Sequence, residues 1–585
     1  MRELKSRTEG LVLLTATPLQ VDAVELWDLL DLLGMPPEWT ADAFGRFFLE
    51  VRRETVTNES LDWLSALFRA CERHFGQITR EESERRSGLG RFGAKQVLEA
   101  LRDESSIPRR QLSPERRRGA VALIRRTTPV RYLVSRHTRQ LLRRYAQAGK
   151  IDARIASRKV EDRFINLSRE ERSLYRRVED YISHAYNAAA QNQRSAVGFV
   201  MTIYRRRLAS SFYALRQTLE ARKSGVNSAA EAELRLDDDA ADLVEAGEEI
   251  DTDALMELEQ IALKAEETAT IDDLVREVGL LPVDTKANEL LAALAELQSA
   301  GYPQAMVFTQ FTDTMDFLRE HLSRTTGRSI MCFSGRGGEV RGADGAWKTI
   351  TREDVKRRFR EGKAEILVCT DAAAEGLNFQ FCGALVNFDM PWNPMRVEQR
   401  IGRIDRLGQK FADIRIINLH YADTVEADVY RAARDRIRLF EAVVGGLQPI
   451  LARLPTLIQS TVLDTAAEPG RTEAALRQLD EAIHSGQAEG IDLDDFADAD
   501  LEMPARPDPA LSLADLHAIL VRPALLPKGI HAAPLDNLDF RYENGDLKKP
   551  IRVTTDREFF ELHADSVEFW TPGSPAFPAL EPFAQ

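Results

Sequence analysis

Short apolar runs alternate with helix-like stretches between residues 300 and 421. The apolar runs are AMVFTQF, EILVCT, ALVNFD and IRIINLHY, and stretches with helical periodicity, 312–323 and 352–360, lie between the first two. Apolar runs that alternate with helices are typical of strands buried on both faces of a mainly parallel sheet. The pattern predicts an α/β fold with its chemistry at the carboxyl ends of the strands.

Other parts of the chain follow other patterns. Residues 61–101 and 167–219 carry apolar residues at helical spacing among many charges, which predicts a large helical region before the sheet. The stretch LVLLTATPLQ has the pattern of a buried strand that delivers the hydroxyls of Thr15 and Thr17 to a site. Near the C-terminus, DFRYENGDLKKPIRVTTDREFFEL predicts a small α+β module with a hairpin turn at 543–546.

Composition narrows the class of protein. With 585 residues, 44% of them hydrophobic, the chain is long enough for several domains. Its four cysteines include no paired CxxC spacing, so we expect neither a disulfide framework nor a metal site. No apolar run approaches the roughly 20 residues needed to cross a bilayer, so we expect a cytoplasmic protein without a membrane partner.

Charge is segregated along the chain, although the formal net charge is -14. Residues 231–273 are acidic and poor in apolar anchors, which is typical of a linker or insert followed by a helix. Residues 102–150 are rich in arginine and could contact a phosphate backbone, or could form a solvated helical face paired with the chain's own carboxylates. The candidates for phosphate contact are Arg116, Arg117, Arg125 and Arg126.

The segment after the second apolar run carries candidate chemistry. TDAAAEGLNFQ, residues 370–380, places a hydroxyl, a carboxylate and a glycine in a strand-to-helix loop. Backbone amides in such a loop can meet an oxyanion. An ordinary strand-to-helix turn is the alternative interpretation.

A second candidate segment is VEQRIGRIDRLGQ, which follows the third apolar run. Arg403 and Arg406 are three residues apart, so on a helix they would share a face. Two guanidiniums in that arrangement are well shaped to clamp a polyphosphate. The alternative is a salt-bridged helix in which Glu398 and Asp405 are the partners.

The order of these pieces resembles a known family. TATPLQ, VFTQFTDTMDFL, FSG, TDAAAEGLNF and FDMPWNPMRVEQRIGRIDRLGQ are similar to motifs III to VI of superfamily-two helicase-like ATPases. EGLNF, WNP and QRIGRIDRLGQ resemble the Swi/Snf-type branch of double-stranded DNA translocases, and among them the bacterial ATPase that recycles RNA polymerase and the phage-defence helicases. The resemblance covers residues 11–20 and about 286–440 well.

The resemblance implies an architecture in which ATP lies between two RecA-like lobes. It divides the chain into a remnant of the first lobe (1–40), a helical, arginine-rich inter-lobe region (41–225), an acidic linker (226–275), the second RecA-like or helicase C-terminal lobe (276–440), bracing helices (441–485) and an accessory α+β region of unknown function (486–585).

The resemblance also implies roles for individual residues. Arg403 and Arg406 are the expected arginine fingers, which stabilise the transition state of phosphoryl transfer. Residues expected to bind ATP or couple to it are Thr15, Thr17, Gln399, Gly402, Glu375 and Gly376. Residues expected to contact DNA are Thr309, Gln310, Thr370, Asp371 and Asn378, with the four arginines Arg116, Arg117, Arg125 and Arg126.

The sequence departs from the family at its nucleotide-binding motifs. It has no P-loop of the form GxxxxGK[ST] and no DExx motif at the end of a buried strand. We therefore expect ATP and Mg²⁺ to bind only with a complete first lobe, and the chain alone to be inactive. Three explanations stay open: a fragment of a DNA-stimulated ATPase, one half of a split motor with a P-loop-containing partner chain, or a non-catalytic DNA-binding or scaffold protein. Expected partners are double-stranded DNA and RNA polymerase or defence-system proteins.

The acidic segment leads to the first prediction. Because residues from about 225 to 270 have few apolar anchors, limited proteolysis should cut there first and leave a stable fragment that contains residues 276–440. Mass spectrometry of the early fragments identifies the cut sites. Strong protection of this segment would show that it is not a linker.

Overall fold

The computed structural model describes the chain in many separate stretches. They are residues 11–13, 23–53, 55–105, 107–135, 139–151, 155–188, 194–224, 265–282, 284–371, 378–422, 424, 427–428, 430–431, 477, 512–527, 529–536, 538–544, 549–563, 566–572, 574 and 576–577. Thr15, Thr17, Glu375 and Gly376 lie outside them, as do most of the acidic linker and nearly all of the predicted bracing helices.

The helices and strands of the described residues are numbered in chain order. The helices are α1 (Ala23–Leu33), α2 (Ala41–Glu50), α3 (Asn58–Phe75), α4 (Arg80–Ser87), α5 (Arg91–Arg102), α6 (Pro114–Arg125), α7 (Pro129–Leu133), α8 (Arg139–Gln147), α9 (Arg169–Ala188), α10 (Arg194–Ser210), α11 (Phe212–Ser224), α12 (Ala265–Leu280), α13 (Thr285–Ser299), α14 (Thr312–Thr325), α15 (Arg352–Arg360), α16 (Pro394–Ile404), α17 (Leu513–Val521) and α18 (Arg557–His563). The strands are β1 (Ser157–Ile165), β2 (Ala305–Thr309), β3 (Ile330–Ser334), β4 (Gly337–Arg341), β5 (Trp347–Ile350), β6 (Ile366–Thr370), β7 (Ala384–Asn387), β8 (Asp413–Tyr421), β9 (Ile530–Pro534), β10 (Asp539–Asn544), β11 (Ile551–Thr554) and β12 (Glu568–Phe569).

The chain forms two compact units, one of residues 1–318 and 380–500 and the other of residues 319–379 and 501–585. In the first unit, parallel strands lie in the order β1, β8, β7, β2. β2 and β7 are buried along their whole length, as their continuous apolar sequences predict. Asn387 lies beside Asn418 of β8, so these strands deliver polar residues to a common edge.

β1 is a strand that the sequence pattern did not reveal. Its sequence, SRKVEDRFI, is mostly charged and falls in a region predicted to be helical. It pairs in parallel with β8 over its whole length, from Ser157 beside Asp413 to Ile165 beside Tyr421. Among the strands that the structure describes, only β8 neighbours β1, so the side chains of β1 are partly exposed and can carry charge.

Helices α1 to α7 pack around a core of their own. Trp39, Phe44 and Phe68 are among its largest buried side chains. The module also buries an ion pair, in which Arg102 donates to Glu72 at 2.9 Å and 2.5 Å. A buried carboxylate needs donors that replace its water, and Arg102 supplies them to Glu72, so this ion pair is structural.

The second unit contains two groups of strands. β6 and β3 pair in parallel, and β3, β4 and β5 form an antiparallel meander. The C-terminal residues form a separate sheet in the order β12, β11, β10, β9, with Tyr542 and Trp570 in its core, which is the expected α+β module. β10 and β11 are antiparallel as a hairpin requires, and β10 continues through Asn544, so the first two residues of the predicted turn at 543–546 belong to the strand. Residues 545–548 lie outside the described residues.

The predicted fold class is confirmed. The chain is an α/β protein with a largely parallel sheet, a large helical region before it and a C-terminal α+β module. Within the stretches that the structure describes, no helix combines the length and the apolar character needed to cross a membrane.

Candidate functional site

A buried carboxylate lies where β2 and β7 end. Asp389 is 2% exposed and accepts hydrogen bonds from the hydroxyls of Thr309 and Ser210, both at 2.5 Å. It also accepts from the backbone N–H of Gln310 at 2.9 Å. A buried carboxylate needs several donors to replace its water, and these donors come from both the sheet edge and α10. Asp389 therefore fixes the loop after β2 against α10.

Arg400 anchors α16 to the same edge. It is 2% exposed and donates to the Asn387 side chain at 3.0 Å and to the Asp389 carbonyl at 2.8 Å. Its guanidinium lies 5.4 Å from the ring centre of Phe308. Asn387 in turn donates to Asn418 at 2.7 Å, which extends the network across β7 and β8. Arg400 thus holds the helix in place and is not open to a ligand.

The side chains of Thr309 and Gln310 face inward. Thr309 is 0% exposed and Gln310 is 9% exposed. Gln310 accepts from Arg206 at 2.9 Å and donates to the Met390 carbonyl at 3.2 Å. Both side chains already have internal partners, so in this structure neither is open to the DNA phosphate that the sequence analysis assigned to them.

Three consecutive buried arginines of α10 connect this loop to the helical region. Arg205 pairs with a glutamate of α9 at 3.0 Å, and Arg206 lies 5.5 Å from the ring centre of Trp392. Arg207 donates to Asp313 at 2.7 Å. Since a buried guanidinium without a partner is costly, the three arginines are held by internal contacts: Arg205 and Arg207 form ion pairs, and Arg206 bonds to Gln310 and lies over Trp392. Sequence reasoning missed these contacts because a run of arginines usually indicates a surface.

A buried lysine lies beside the break between α10 and α11. Lys286 is 1% exposed and donates to the carbonyls of Ala209 at 2.6 Å and Ser210 at 3.1 Å. Burial lowers the pKa of Lys286 to about 8, although nearby carboxylates oppose the shift. Burial raises the pKa of Asp284, which accepts from the Tyr421 hydroxyl at 2.7 Å. Lys286 thus satisfies the carbonyls that the helix break leaves open.

Helix α16, which carries the candidate finger arginines, is shorter than predicted. It ends at Ile404, because Asp405 has backbone angles of φ -91° and ψ 79°, outside the helical region. Arg403 lies in the last turn, but Arg406 lies beyond the helix. The prediction that the two arginines share a helical face is therefore wrong.

Arg406 lies in a turn that follows the helix and is held by hydrogen bonds. The Nε of Arg406 donates to the Gly402 carbonyl at 2.9 Å. Gln409 is 3% exposed and donates to the carbonyls of Ile404 at 2.6 Å and Cys382 at 3.0 Å, which holds the chain after the helix. Arg406 is exposed and Arg403 is half-buried. Sequence spacing alone could not show this turn.

The carboxylates considered as alternative partners are engaged by another arginine. Arg158 of β1 donates to both oxygens of Glu398 at 2.9 Å and to Asp405 at 2.7 Å. These bonds join the edge strand to the helix and to its C-cap.

Gln399 and Gly402 lie half-buried on α16. A Cβ added at Gly402 would meet no atom within 4 Å. Packing among the described residues therefore does not require a glycine there, even though glycine costs a helix about 1 kcal/mol relative to alanine. The absent side chain leaves open space close to Arg403.

Thr370, Asp371 and Asn378 belong to the second unit. Thr370 ends β6 and is 2% exposed, and its hydroxyl has no hydrogen-bond partner among the residues described. Asp371 and Asn378 are half-buried on either side of residues 372–377, which lie outside the description. A buried hydroxyl without a partner at the end of a parallel strand is a place where a ligand or water can bind.

The arginines proposed to contact phosphate lie on α6 and at its C-cap, and all are half-buried. Arg117 donates to the Val56 carbonyl at 3.0 Å and to Asn58 at 2.6 Å. Arg126 donates to the Arg86 carbonyl at 3.2 Å. These acceptors are uncharged, so the bonds orient the guanidiniums without cancelling their charge. The other two members of the set are Arg116 and Arg125.

Among the described residues, no group of three or more His, Cys, Asp or Glu side chains lies together in a way that could hold a metal ion. A cavity of about 30 Å³ lies among Arg206, Ser210, Gln310, Asp389 and Tyr430. That volume is enough for about two water molecules. That volume is too small for a nucleotide.

Comparison with known proteins identifies the region that carries this network. Residues 285–408 match the family described as the helicase conserved C-terminal domain. This part of the chain is therefore a helicase C-terminal domain, in agreement with its parallel strands and its QRxGRxxR motif.

Two relatives indicate which type of helicase-like protein this chain resembles. The chain is 35% identical over 185 residues to the uncharacterized ATP-dependent helicase YqhH of Bacillus subtilis. The aligned residues are 32% of this chain and 30% of that protein. It is 44% identical over 148 residues to the RNA polymerase-associated protein RapA of Vibrio cholerae. The aligned residues are 22% of this chain and 15% of that protein. The chain thus spans less than a third of the length of these relatives. The resemblance to superfamily-two helicase-like ATPases of the Swi/Snf type is confirmed.

A solved structure is also similar in part. The Sulfolobus solfataricus SWI2/SNF2 ATPase core in complex with dsDNA matches 54% of this chain and 50% of that chain. The sequence identity is 13% and the TM-score is 0.32.

The buried lysine leads to a prediction about pH. Because the pKa of Lys286 falls from 10.5 to about 8 on folding, the unfolded chain binds more protons between these two values. Lys286 therefore disfavours folding below about pH 8, and this penalty is relieved as the pH rises toward 10.5. The free energy of unfolding of the unsubstituted protein minus that of Lys286→Met should increase by about 1.4 kcal/mol per pH unit across this window.

Denaturant titrations at several pH values measure the difference. Lys95→Met is the matched control, since Lys95 is 47% exposed and pairs with Glu99 on the same helix. Its difference should not change with pH over the same window. Parallel curves for Lys286→Met and the unsubstituted protein would contradict the prediction.

Proposed function

We propose that this chain supplies the second RecA-like lobe of an ATP-dependent motor that translocates along double-stranded DNA. In this proposal, Arg403 and Arg406 act as arginine fingers on the γ-phosphate of an ATP that a P-loop lobe holds with Mg²⁺. The observation that carries the proposal is the end of α16, where Arg403 lies in the last helical turn and Arg406 in the following turn, which Gln409 fixes.

The surroundings of the fingers favour contact with a phosphate. Arg400 and Gln409 hold the two ends of the segment, so little reorganisation is needed when charge develops on the phosphate. No atom of the described residues lies within 4 Å of a Cβ placed on Gly402, which leaves room for an approaching group. ATP would supply the phosphoryl group, and the two arginines of this chain would orient it and neutralise its charge.

The DNA track is the second part of the proposal. We assign it to Thr370, Asp371 and Asn378 at the end of β6 and to the arginines of α6. The Thr370 hydroxyl, which has no hydrogen-bond partner among the described residues, supports this assignment, because a phosphate oxygen could accept from it. The side chains of Thr309 and Gln310 have internal hydrogen-bond partners, so we do not assign them a phosphate. Their role in the track is structural, because the Thr309 hydroxyl and the Gln310 backbone N–H bind Asp389 and hold the loop after β2. The name of the Vibrio cholerae relative suggests RNA polymerase as a further partner.

ATP hydrolysis tests the motor. The 585-residue chain alone should show no DNA-stimulated ATPase activity, and a P-loop lobe from in-frame upstream sequence or from a partner chain should restore it. In the restored motor, Arg403→Ala or Arg406→Ala should lower turnover by about a thousandfold or more while DNA affinity changes little, because fingers act at the transition state. Steady-state ATPase assays and DNA-binding titrations measure the two effects.

Arg396→Ala is the matched control, since Arg396 lies in the first turn of the same helix. It should keep turnover within about twofold of the unsubstituted motor, the range expected when a partly exposed charge is removed from a helix surface. Robust DNA-stimulated hydrolysis by the chain alone would contradict the proposal, because it would require a complete nucleotide site within these residues.

Salt dependence tests the arginines of α6. If they contact duplex phosphates, Arg116→Ala together with Arg125→Ala should reduce the slope of log K against log salt by about two. This pair avoids Arg117 and Arg126, whose hydrogen bonds hold the module together. Fluorescence anisotropy with duplex DNA at several salt concentrations measures the slope.

Arg110→Ala is the control, because Arg110 is 65% exposed but already paired with Asp62 at 2.9 Å. Its removal should leave the slope unchanged. An unchanged slope in the double variant would mean that the α6 arginines do not contact the DNA backbone.

A further inference from the structure

Phe92 places an aromatic ring on the surface of the helical module that α1 to α7 form. It lies in the first turn of α5 and is 69% exposed, whereas Ala94, Val97 and Leu98 of the same helix are buried. A ring that stays in water contributes little to packing, because burial is what makes an apolar group stabilising. Phe92 is therefore available for contact with another molecule.

The first turn of α5 lies close to the middle of α6. Leu89 lies between them: a Cβ built on Gly93 of α5 would be 3.4 Å from the Leu89 Cβ, and one built on Gly119 of α6 would be 2.4 Å from the Leu89 Cδ1. Phe92 and Arg118 directly precede these two glycines, so they flank the same leucine side chain. The two helices thus contribute to one continuous part of the surface.

Both helices carry arginines at this part of the surface. Arg91 of α5 and Arg118 of α6 are exposed, and Arg116 of α6 is half-buried. Among the residues that the structure describes, no carboxylate forms an ion pair with any of these three side chains. The Phe92 surface, as we define it, consists of Arg91, Phe92, Arg116 and Arg118.

The module has more cations than carboxylates. Residues 80–126, which contain α4, α5 and α6, have thirteen arginines and lysines but only seven acidic residues, in a chain with a net charge of -14. Carboxylates of the module pair with other arginines, as Glu72 does with Arg102 and Asp62 with Arg110. The Phe92 surface therefore combines an exposed ring with positive charge that its own module does not neutralise.

We propose that the Phe92 surface binds nucleic acid at an unpaired nucleotide, with the Phe92 ring stacked on the base and the three guanidiniums bound to neighbouring phosphates. The inference rests on the proposed function, which assigns arginines of α6 to a phosphate backbone, and it adds a contact with the base. The substrate class is then a single strand, or a duplex in which some bases are unpaired.

The chemistry of a nucleotide matches this surface. Each nucleotide has a flat π face next to a negative charge, and every base has such a face, so stacking does not require a particular sequence. In a paired duplex the neighbouring bases cover these faces, so a ring reaches one only where a base is unpaired. A protein partner matches less well, because a stable protein interface needs a much larger apolar contact than one ring.

Fluorescence anisotropy with the full chain and a labelled oligothymidylate, which does not pair with itself, tests the base contact. Phe92→Ala should weaken binding by about fivefold or more, the lower end of what one stacked base contributes. Phe92→Leu should weaken it similarly because leucine has no π face, and Phe92→Trp should keep the affinity. Affinity for a long blunt duplex should change little in all three variants.

Leu49→Ala is the matched control, since Leu49 of α2 is an apolar side chain of the same module and is 55% exposed. It should leave the affinity for the single strand unchanged. An equal loss in this control would show that the effect is not specific to the ring and would overturn the proposal. Circular dichroism checks that each variant folds, as expected for substitutions of exposed side chains.

Photocross-linking locates the contact. An oligothymidylate that carries one 5-iodouracil forms a covalent bond, on ultraviolet irradiation, chiefly with an aromatic side chain stacked on that base. Peptide mass spectrometry should find the bond at Phe92, and it should be absent in Phe92→Leu. Cross-links at other residues alone would overturn the proposal.

Salt dependence tests the phosphate contacts. Arg91→Ala and Arg118→Ala should each reduce the slope of log K against log salt for the single strand by about 0.7. Arg110→Ala should not, because Arg110 is already paired with Asp62. Oligouridylate in the same assay distinguishes RNA from DNA as the source of the strand, and tighter binding of either one that Phe92→Ala removes supports the proposal.

Two further outcomes would overturn the proposal. One is an unchanged affinity for both single strands in a folded Phe92→Ala protein. The other is displacement of the oligonucleotide by polyglutamate, with Phe92→Ala weakening polyglutamate and oligonucleotide binding equally, which would indicate a surface for acidic proteins.

The measurements separate this inference from the proposed function. If Arg116→Ala with Arg125→Ala reduces the duplex salt slope but Phe92→Ala does not affect single-strand binding, the duplex contact stands and the base contact fails. If Phe92→Ala weakens single-strand binding but the double variant keeps the duplex slope, the base contact stands and the duplex assignment of α6 fails.

Discussion

The buried carboxylate of Asp389 is the constraint on which the first unit depends. It accepts from the strand end at Thr309, from the loop at Gln310 and from α10 at Ser210. A buried anion requires a hydrogen-bond donor at each of its acceptor positions, because each position left without a donor costs free energy on the order of 1–3 kcal/mol. The loop after β2 and the end of α10 therefore cannot move independently of the sheet edge.

The other buried charges extend this arrangement outward. Arg206 and Arg207 connect α10 to the loop after β2, and Lys286 satisfies the carbonyls where α10 ends. Arg400 connects α16 to the same strands. A set of mutually satisfied polar groups specifies one packing arrangement, since any alternative would leave some of them unpaired. Rigidity at this edge is what a site with preorganised charge requires.

Local pattern was enough to predict the elements with continuous apolar sequence. β2, β6, β7 and β8 follow from their buried runs, and α14 and α15 follow from periodicity. β1 could not be predicted, because an edge strand with charged side chains lacks that signal and its pairing with β8 depends on residues far away in the chain. The ordered motifs identified the family, since several weak signals in a fixed order are specific together.

Side-chain partners were harder to predict than elements. The sequence made Arg403 and Arg406 candidates for contact with phosphate, but it did not show that the helix ends between them at Ile404, because helix ends are set by capping geometry and not by spacing. It assigned Thr309 and Gln310 to a surface role, whereas Asp389 and Arg206 hold both inside. The roles of Arg158 and Lys286 depend on contacts between distant segments, which a single sequence does not display.

The position of β1 has a consequence for how the protein can be divided. Arg158 and Glu398 are 240 residues apart in the chain, yet β1 covers the outer edge of β8. A fragment that begins at residue 276, where motif order alone would place the start of the second lobe, would present β8 as a bare edge with unpaired backbone groups. Such an edge is a template for strand addition from another molecule. The protection of this sheet against self-association is therefore encoded more than a hundred residues before the motifs that define the lobe.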